Sequence, residues 1–318
     1  MPYEEEPPEK MILAMGVTGA GKSYFVNSLT DGLEVTVGSS LQSCTQSCQM
    51  VKTRVGNTDV TVVDCPGFDD TTRSDADILE EIANLLSLQY ILGVKLIGVL
   101  YLHRITDNRM QGSARKNLEM FTKLVGDAAL PNVVLVTTMW GLMNDKYEAN
   151  QRYDELREEY WCDMIDKGSL TTRFDGSRAS AEGILAQLLG KKDVVLRVQK
   201  ELVDQDMKLN ETSAGAYLNP RVEEEEREFN EREQELLVKL RGETSSSKKL
   251  KYQLQREEAE SGREQRKRDK ETLKTRPGRK MKDKLKNWDS WKGGAKTIAM
   301  IIGVVVVNVA LPLAGVLV

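Results

Sequence analysis

At 318 residues the chain has room for one α/β domain of ordinary size and roughly a hundred residues more. Its net charge of −4 is small, and its four cysteines (Cys44, Cys48, Cys65, Cys162) are too scattered for a disulfide scaffold and read as reduced thiols. Cys44 and Cys48 lack the second pair or neighbouring His that a zinc site needs. Residues 1–9 hold four glutamates among three prolines, so a disordered lead is expected, with no apolar secretory signal.

Met11 to Met15 reads as a buried strand, and a helix is expected from Tyr24 to Leu29. Between them Gly16-Val17-Thr18-Gly19-Ala20-Gly21-Lys22-Ser23 fits G-x-x-x-x-G-K-[ST] at every fixed position. Glycines in this pattern let successive backbone N–H groups and the helix N-terminus converge on a phosphate cluster. Lys22 is then placed for the β- and γ-phosphates and the Ser23 hydroxyl for Mg²⁺. Gly16, Thr18, Gly19, Ala20, Gly21, Lys22, Ser23 and Tyr24 are the expected nucleotide-binding residues of this segment.

Thr30 to Ser47 loses periodicity and reads as a loop. Gln49 to Val55 and Asp59 to Val63 are strand-like runs joined by a Gly56-Asn57-Thr58 turn. The second run ends in Asp64-Cys65-Pro66-Gly67-Phe68, where an Asp-x-x-Gly pattern can offer a carboxylate to a Mg²⁺ water and the Gly67 N–H to a γ-phosphate. These stretches, with Ser43-Cys44-Thr45-Gln46 in the intervening loop, resemble the GTPase superclass of P-loop proteins. They look most like its septin-related branch, the GIMAP immunity-associated and chloroplast import receptor GTPases, over about residues 10 to 200.

The resemblance implies GTP or GDP with Mg²⁺ as ligands, Ser23, Thr45 and Asp64 as the metal-site residues, and Gly67 as the γ-phosphate sensor. Phe68 stands where Ras-like enzymes carry the Gln that orients water. Relatives of this kind are thought to hydrolyse slowly alone and to depend on a partner or on dimerisation across the nucleotide.

Asp75 to Tyr90 is a helix that Asp75 can cap, with apolar residues at helical spacing. Lys95 to Leu102 is a buried strand leading into His103, the only histidine, and Arg104. That His reads as a packing residue, and both remain candidates for γ-phosphate or dimer contacts. Ser113 to Val125 is a helix and Asn132 to Val136 the next strand. It delivers Thr138-Met139-Trp140-Gly141, where the resemblance leads one to expect Asn/Thr-Lys-x-Asp. Thr138 fits a nucleotide-binding role, but Gly141 replaces the carboxylate that reads guanine. Guanine is the reading implied, adenine stays open, and Asp145 or stacking by Trp140 are the candidate substitutes.

A charged helix is expected from Asp145 to Asp166 and a short strand within Gly168 to Phe174. The turn Asp175 to Ala181 is placed to close over a base, and helices follow over Ala181 to Leu189 and Val194 to Leu209. Residues 10–210 thus read as a three-layer α/β P-loop domain with a mostly parallel sheet. Residues 211–292 read as a charged helical, coiled-coil-like stalk. Val222, Phe229 and Leu236 fall seven apart, Gly242 to Ser247 interrupts them, and the stripe suits either weak self-association or a solvated spacer.

The charge then turns basic, Trp288 and Trp291 follow, and Thr297 to Val318 carries no charged residue. As a helix that run would span about 33 Å. It reads as a C-terminal membrane anchor placing the domain on the cytosolic face of an intracellular membrane, with a tail folded back on its own domain as the alternative. No aromatic stacking surface accompanies the basic run, so nucleic acid is not the expected partner. The sequence thus describes a GTP-binding switch protein or slow GTPase, able to form homodimers through the G domain or stalk. A nucleotide-loaded scaffold without turnover, or an ATP-using P-loop enzyme, is the alternative.

Overall fold

The computed structural model describes residues 10–30, 48–70, 72–108, 110 and 112–286, together with the backbone of 306–308. Its centre is a sheet of β1 (Lys10–Met15), β2 (Gln49–Val55), β3 (Thr58–Asp64), β4 (Lys95–Arg104), β5 (Val133–Thr138) and β6 (Leu170–Arg173). The spatial order is β6-β5-β4-β1-β3-β2, and every pair is parallel except the β2–β3 hairpin. Strands buried on both faces need apolar residues at both parities. In β1, Met11, Leu13 and Met15 enter the core under α2 (Asp75–Ile91) and α3 (Gly112–Val125), while Ile12 and Ala14 enter the core under α1 (Lys22–Ser28) and α6 (Arg178–Leu189).

The expected elements are present with adjusted ends. β4 continues through His103 and Arg104, because these residues pair with Thr137 and Thr138 of β5. The cap of α2 is Ser74, whose hydroxyl accepts from the Asp77 amide, and Asp75 is the first helical residue. The charged helix over Asp145–Asp166 is broken. α4 (Lys146–Glu155) passes through a π turn (Leu156–Tyr160) into α5 (Cys162–Asp166), with Trp161 fully buried at the joint. The helix read over 194–209 is confined to α7 (Arg197–Gln199) and a π turn (Lys200–Asp204).

Beyond the sheet, α8 (Ser213–Gly242) and α9 (Ser246–Leu273) form an antiparallel hairpin, followed by α10 (Pro277–Lys286). They are not a detached stalk. Leu218 and Val222 of α8, Leu273 of α9, and Met281 and Leu285 of α10 join the same core as α2 and α3. Arg221 pairs with Asp75, and Lys280 with Glu80, both on α2. The stripe read as an association surface is spent inside the chain. Val222 and Leu236 are buried, and Phe229 lies against Gly262 of α9, where an added Cβ would come within 2.5 Å of its ring.

Among the described residues no helix is long and apolar enough to cross a membrane. Most of 297–318 lies outside the described residues, as do the lead 1–9 and Thr45. Within that run, Val306–Asn308 is extended rather than helical. It forms β7, parallel to the β2 edge in the register Met50 to Val306. One continuous spanning helix over 297–318 does not accommodate this pairing.

Candidate phosphate-binding site

The turn after β1 is built on left-handed backbone: Gly16, Gly19 and Gly21 have φ of 141°, 77° and 85°. A side chain is excluded at Gly16 on steric grounds too, since a Cβ would lie 2.3 Å from the Leu102 carbonyl oxygen. Lys22 is buried and turns back over this loop, donating to the carbonyls of Gly16 (3.0 Å) and Val17 (2.9 Å). Burial lowers its pKa, and the nearby Asp64 carboxylate opposes that shift.

The second element is the end of β3. Ser23 Oγ donates to Asp64 Oδ2 at 2.6 Å, so the hydroxyl at the start of α1 and the carboxylate at the end of β3 meet across the loop. This is an oxygen donor set of the kind a hard divalent cation takes. Gly67 packs on the loop from the same side. Thr18 Oγ1 donates to its carbonyl at 3.3 Å, and a Cβ at 67 would stand 2.5 Å from Thr18 N and 2.8 Å from Lys22 Nζ. Any larger residue there would displace the lysine. Phe68 is turned into the core and offers no polar group to the site.

Thr138 reaches the loop from β5. Its buried hydroxyl donates to the Ala20 carbonyl at 2.9 Å and so braces the loop from β5. Arg104, at the end of β4, places a guanidinium nitrogen 3.0 Å from where a Gly19 Cβ would be, and pairs with Asp107. With Val17, Thr18 and Asp69 it lines a groove of about 110 Å³ beside the loop. His103 is buried against the Trp161 edge, and burial lowers its pKa to about 4, so it is neutral at neutral pH.

On the other flank, Tyr24 is half exposed and meets Phe174 and Gly176. The two residues expected to replace the missing carboxylate are engaged elsewhere. The Asp145 carboxylate caps α4 by accepting from the Tyr147 and Glu148 amides. Trp140 donates to Thr137, and the Arg173 guanidinium covers its ring and that of Tyr153. Asp175, in the turn expected to close over a base, also carries a carboxylate, which the sequence reading did not single out from the turn's backbone groups. It stands in the β6–α6 turn between Phe174 and Gly176, accepts from the Ser177 amide at 2.8 Å, and is held below the usual carboxylate range by hydrogen bonding from the Ser177 side chain first and that amide second. The signal for it was the Asp-Gly-Ser turn, which is also ordinary turn chemistry. Among the described residues no group of three or more His, Cys, Asp and Glu could hold a metal ion.

Residues 10–160 match the family model described as the AIG1 family. GTP-binding protein A of Dictyostelium discoideum is 30% identical over 128 residues, which are 40% of this chain and 27% of that protein. The match thus spans about a quarter of that relative. Among solved structures, Toc33 from Arabidopsis thaliana in complex with Mg²⁺ and GMPPNP is 18% identical, covering 58% of this chain and 87% of that one with a TM-score of 0.46. Toc33 in complex with GDP and Mg²⁺ is 17% identical over 59% of this chain and 88% of that one, again with a TM-score of 0.46.

Proposed function

We propose that this chain is a guanine-nucleotide switch that binds GTP with Mg²⁺ and hydrolyses it slowly to GDP and phosphate. The observation that carries the reading is the convergence of Ser23 and Asp64 at 2.6 Å beside a buried Lys22 in a loop of left-handed glycines. The AIG1 family match over residues 10–160 and the name of the Dictyostelium relative support GTP as the nucleotide.

In this reading Lys22 and the amides of residues 16–23 hold the phosphates, Tyr24 flanks the nucleotide, and Thr138 keeps the loop in shape. Mg²⁺, held through Ser23, Thr45 and Asp64, would neutralise charge on the phosphate oxygens. Gly67 reports the γ-phosphate, because its close packing on Thr18 and Lys22 couples the Asp64–Phe68 segment to anything that moves that lysine. Water attacks the γ-phosphate in line. With Phe68 buried, no side chain at that place orients it, which argues for a low intrinsic rate.

Arg104 stands at the loop rim, with its side chain partly exposed, where it can meet the γ-phosphate or a second copy across the nucleotide. Asp175 takes over the reading of guanine, as an exposed carboxylate between Phe174 and Gly176, the two residues that meet Tyr24.

Release of phosphate from Mg·GTP by the purified chain tests the proposal. A slow release whose specific rate rises with protein concentration is expected. Tight GTP binding with no release at any concentration would favour a nucleotide-loaded scaffold instead. Membrane attachment through 297–318 rests on composition alone. The β7 pairing supports the folded-back tail.

A further inference from the structure

Two thiols stand apart from the nucleotide chemistry and share one place in the fold. The antiparallel β2–β3 ladder ends with Gln49 opposite Asp64, and continuing that register by one residue sets Cys48 across from Cys65. Both side chains are fully buried in the same core cluster and unoxidised, and the neighbouring Cys65 thiol, together with burial, pushes the Cys48 thiol up from its ordinary pKa. Residues directly opposite in such a ladder have Cα atoms about 4.5–5.5 Å apart. That range lies inside the roughly 4.4–6.8 Å that a disulfide spans.

We propose that Cys48 and Cys65 are a modification site: a peroxide oxidant converts them to an intramolecular disulfide that ties the start of β2 to the Asp64–Gly67 segment. One cysteine sulfur attacks the peroxide O–O bond, giving a sulfenic acid and one water. The second thiol then displaces the hydroxyl as a second water and forms the S–S bond. Both sulfurs are oxidised, the peroxide is reduced, and two protons leave with the oxygens. Because the thiols are enclosed, reaction requires local opening of the ladder end, so they react more slowly than the partly exposed Cys162.

Position gives the bond its consequence. Cys65 follows Asp64 directly and precedes Gly67 by two residues, so the link restrains the segment that packs on Thr18 and Lys22. This consequence rests on the proposed GTP reading, whereas formation of the bond does not.

The test treats the native full-length chain with hydrogen peroxide and maps tryptic peptides without reduction. Expected is a 48–65 cross-link, located by fragmentation at Cys48 rather than Cys44, with the mass of the pair lowered by about two hydrogens and restored by dithiothreitol. The Cys48→Ser chain should lose that cross-link, and the map of the native chain stands even if this variant folds poorly. A bond to Cys44, or oxidation to sulfinic acid without any 48–65 link, overturns the proposal. GTP and GDP affinities of the oxidised chain follow, with the GTP/GDP ratio expected to shift at least about fivefold. An unchanged ratio in cross-linked protein overturns the regulatory consequence. Failure of the untreated chain to bind GTP would instead overturn the nucleotide reading and leave the cross-link standing.

Discussion

At the scale of single residues, identity in the sequence was a good guide where one residue type alone can do the work, and a poor one where several can. Glycines 16, 19 and 21 had to be glycine, and the structure gives each a positive φ. A carboxylate near the base could be any of several, and Asp145 proved to be a helix cap. If Asp175 reads the base, Asp175→Asn removes one acceptor pattern and leaves the fold alone, since the side chain is exposed. Titration with GTP and ATP should show the preference for GTP falling at least tenfold, in the range that loss of a built polar contact costs. An unchanged preference would assign base reading to backbone groups of the same turn.

His103 carries a prediction of its own. Its folded-state pKa is depressed from 6.5 to about 4, so the unfolded chain binds its proton first as pH falls. The stability contributed by the neutral, buried imidazole is present above pH 6.5 and is lost as pH falls towards 4. Between pH 7 and 5 the loss from this group is about 2 kcal/mol. Urea unfolding at the two pH values should show a difference that shrinks in His103→Gln. An equal difference in that variant would place the acid sensitivity elsewhere.

At the scale of elements, strands and helices of the sheet region were legible because apolar runs and turn residues mark them locally. The end of the domain was less so. Val194 to Leu209 reads as helix, yet its Leu196, Val198, Leu202 and Leu209 are buried in a segment that alternates short helical turns with loop. Burial against a pre-formed core does not require a helical period. The heptad-like stripe of α8 was also legible as apolar, but a stripe states that a face is covered and not by what. Here α9 covers it, and Gly262 leaves room for Phe229. Gly262→Val should force that ring aside and destabilise the hairpin by about 1–3 kcal/mol. Thermal unfolding followed by circular dichroism should show a lower midpoint, with GTP affinity retained. An unaltered midpoint would mean that the two helices yield freely at this crossing.

At the scale of the whole molecule, the helical extension and the sheet domain are one packed body. Residues from α8, α9 and α10 share the core of α2 and α3, and ion pairs join α2 to both α8 and α10. α2 is also the helix that follows the Asp64–Phe68 segment, so the extension lies against the element through which a γ-phosphate signal would leave the site. Sequence alone could not show this, because the contacting residues are separated by more than a hundred positions. Cutting the chain near residue 210 would expose Leu218's partners on α2 and α3, so nucleotide measurements belong on the full chain.

The central claim is that this phosphate loop holds a guanine nucleotide with Mg²⁺. Its most direct test is the affinity of the full chain for GTP and for ATP, each with and without Mg²⁺, alongside Lys22→Ala. The account predicts a clear preference for GTP, strengthened by Mg²⁺ and abolished in Lys22→Ala, because that ammonium is the loop's one full positive charge on the phosphates. Equal or absent binding of the two nucleotides, or tight GTP binding retained by Lys22→Ala, would contradict it.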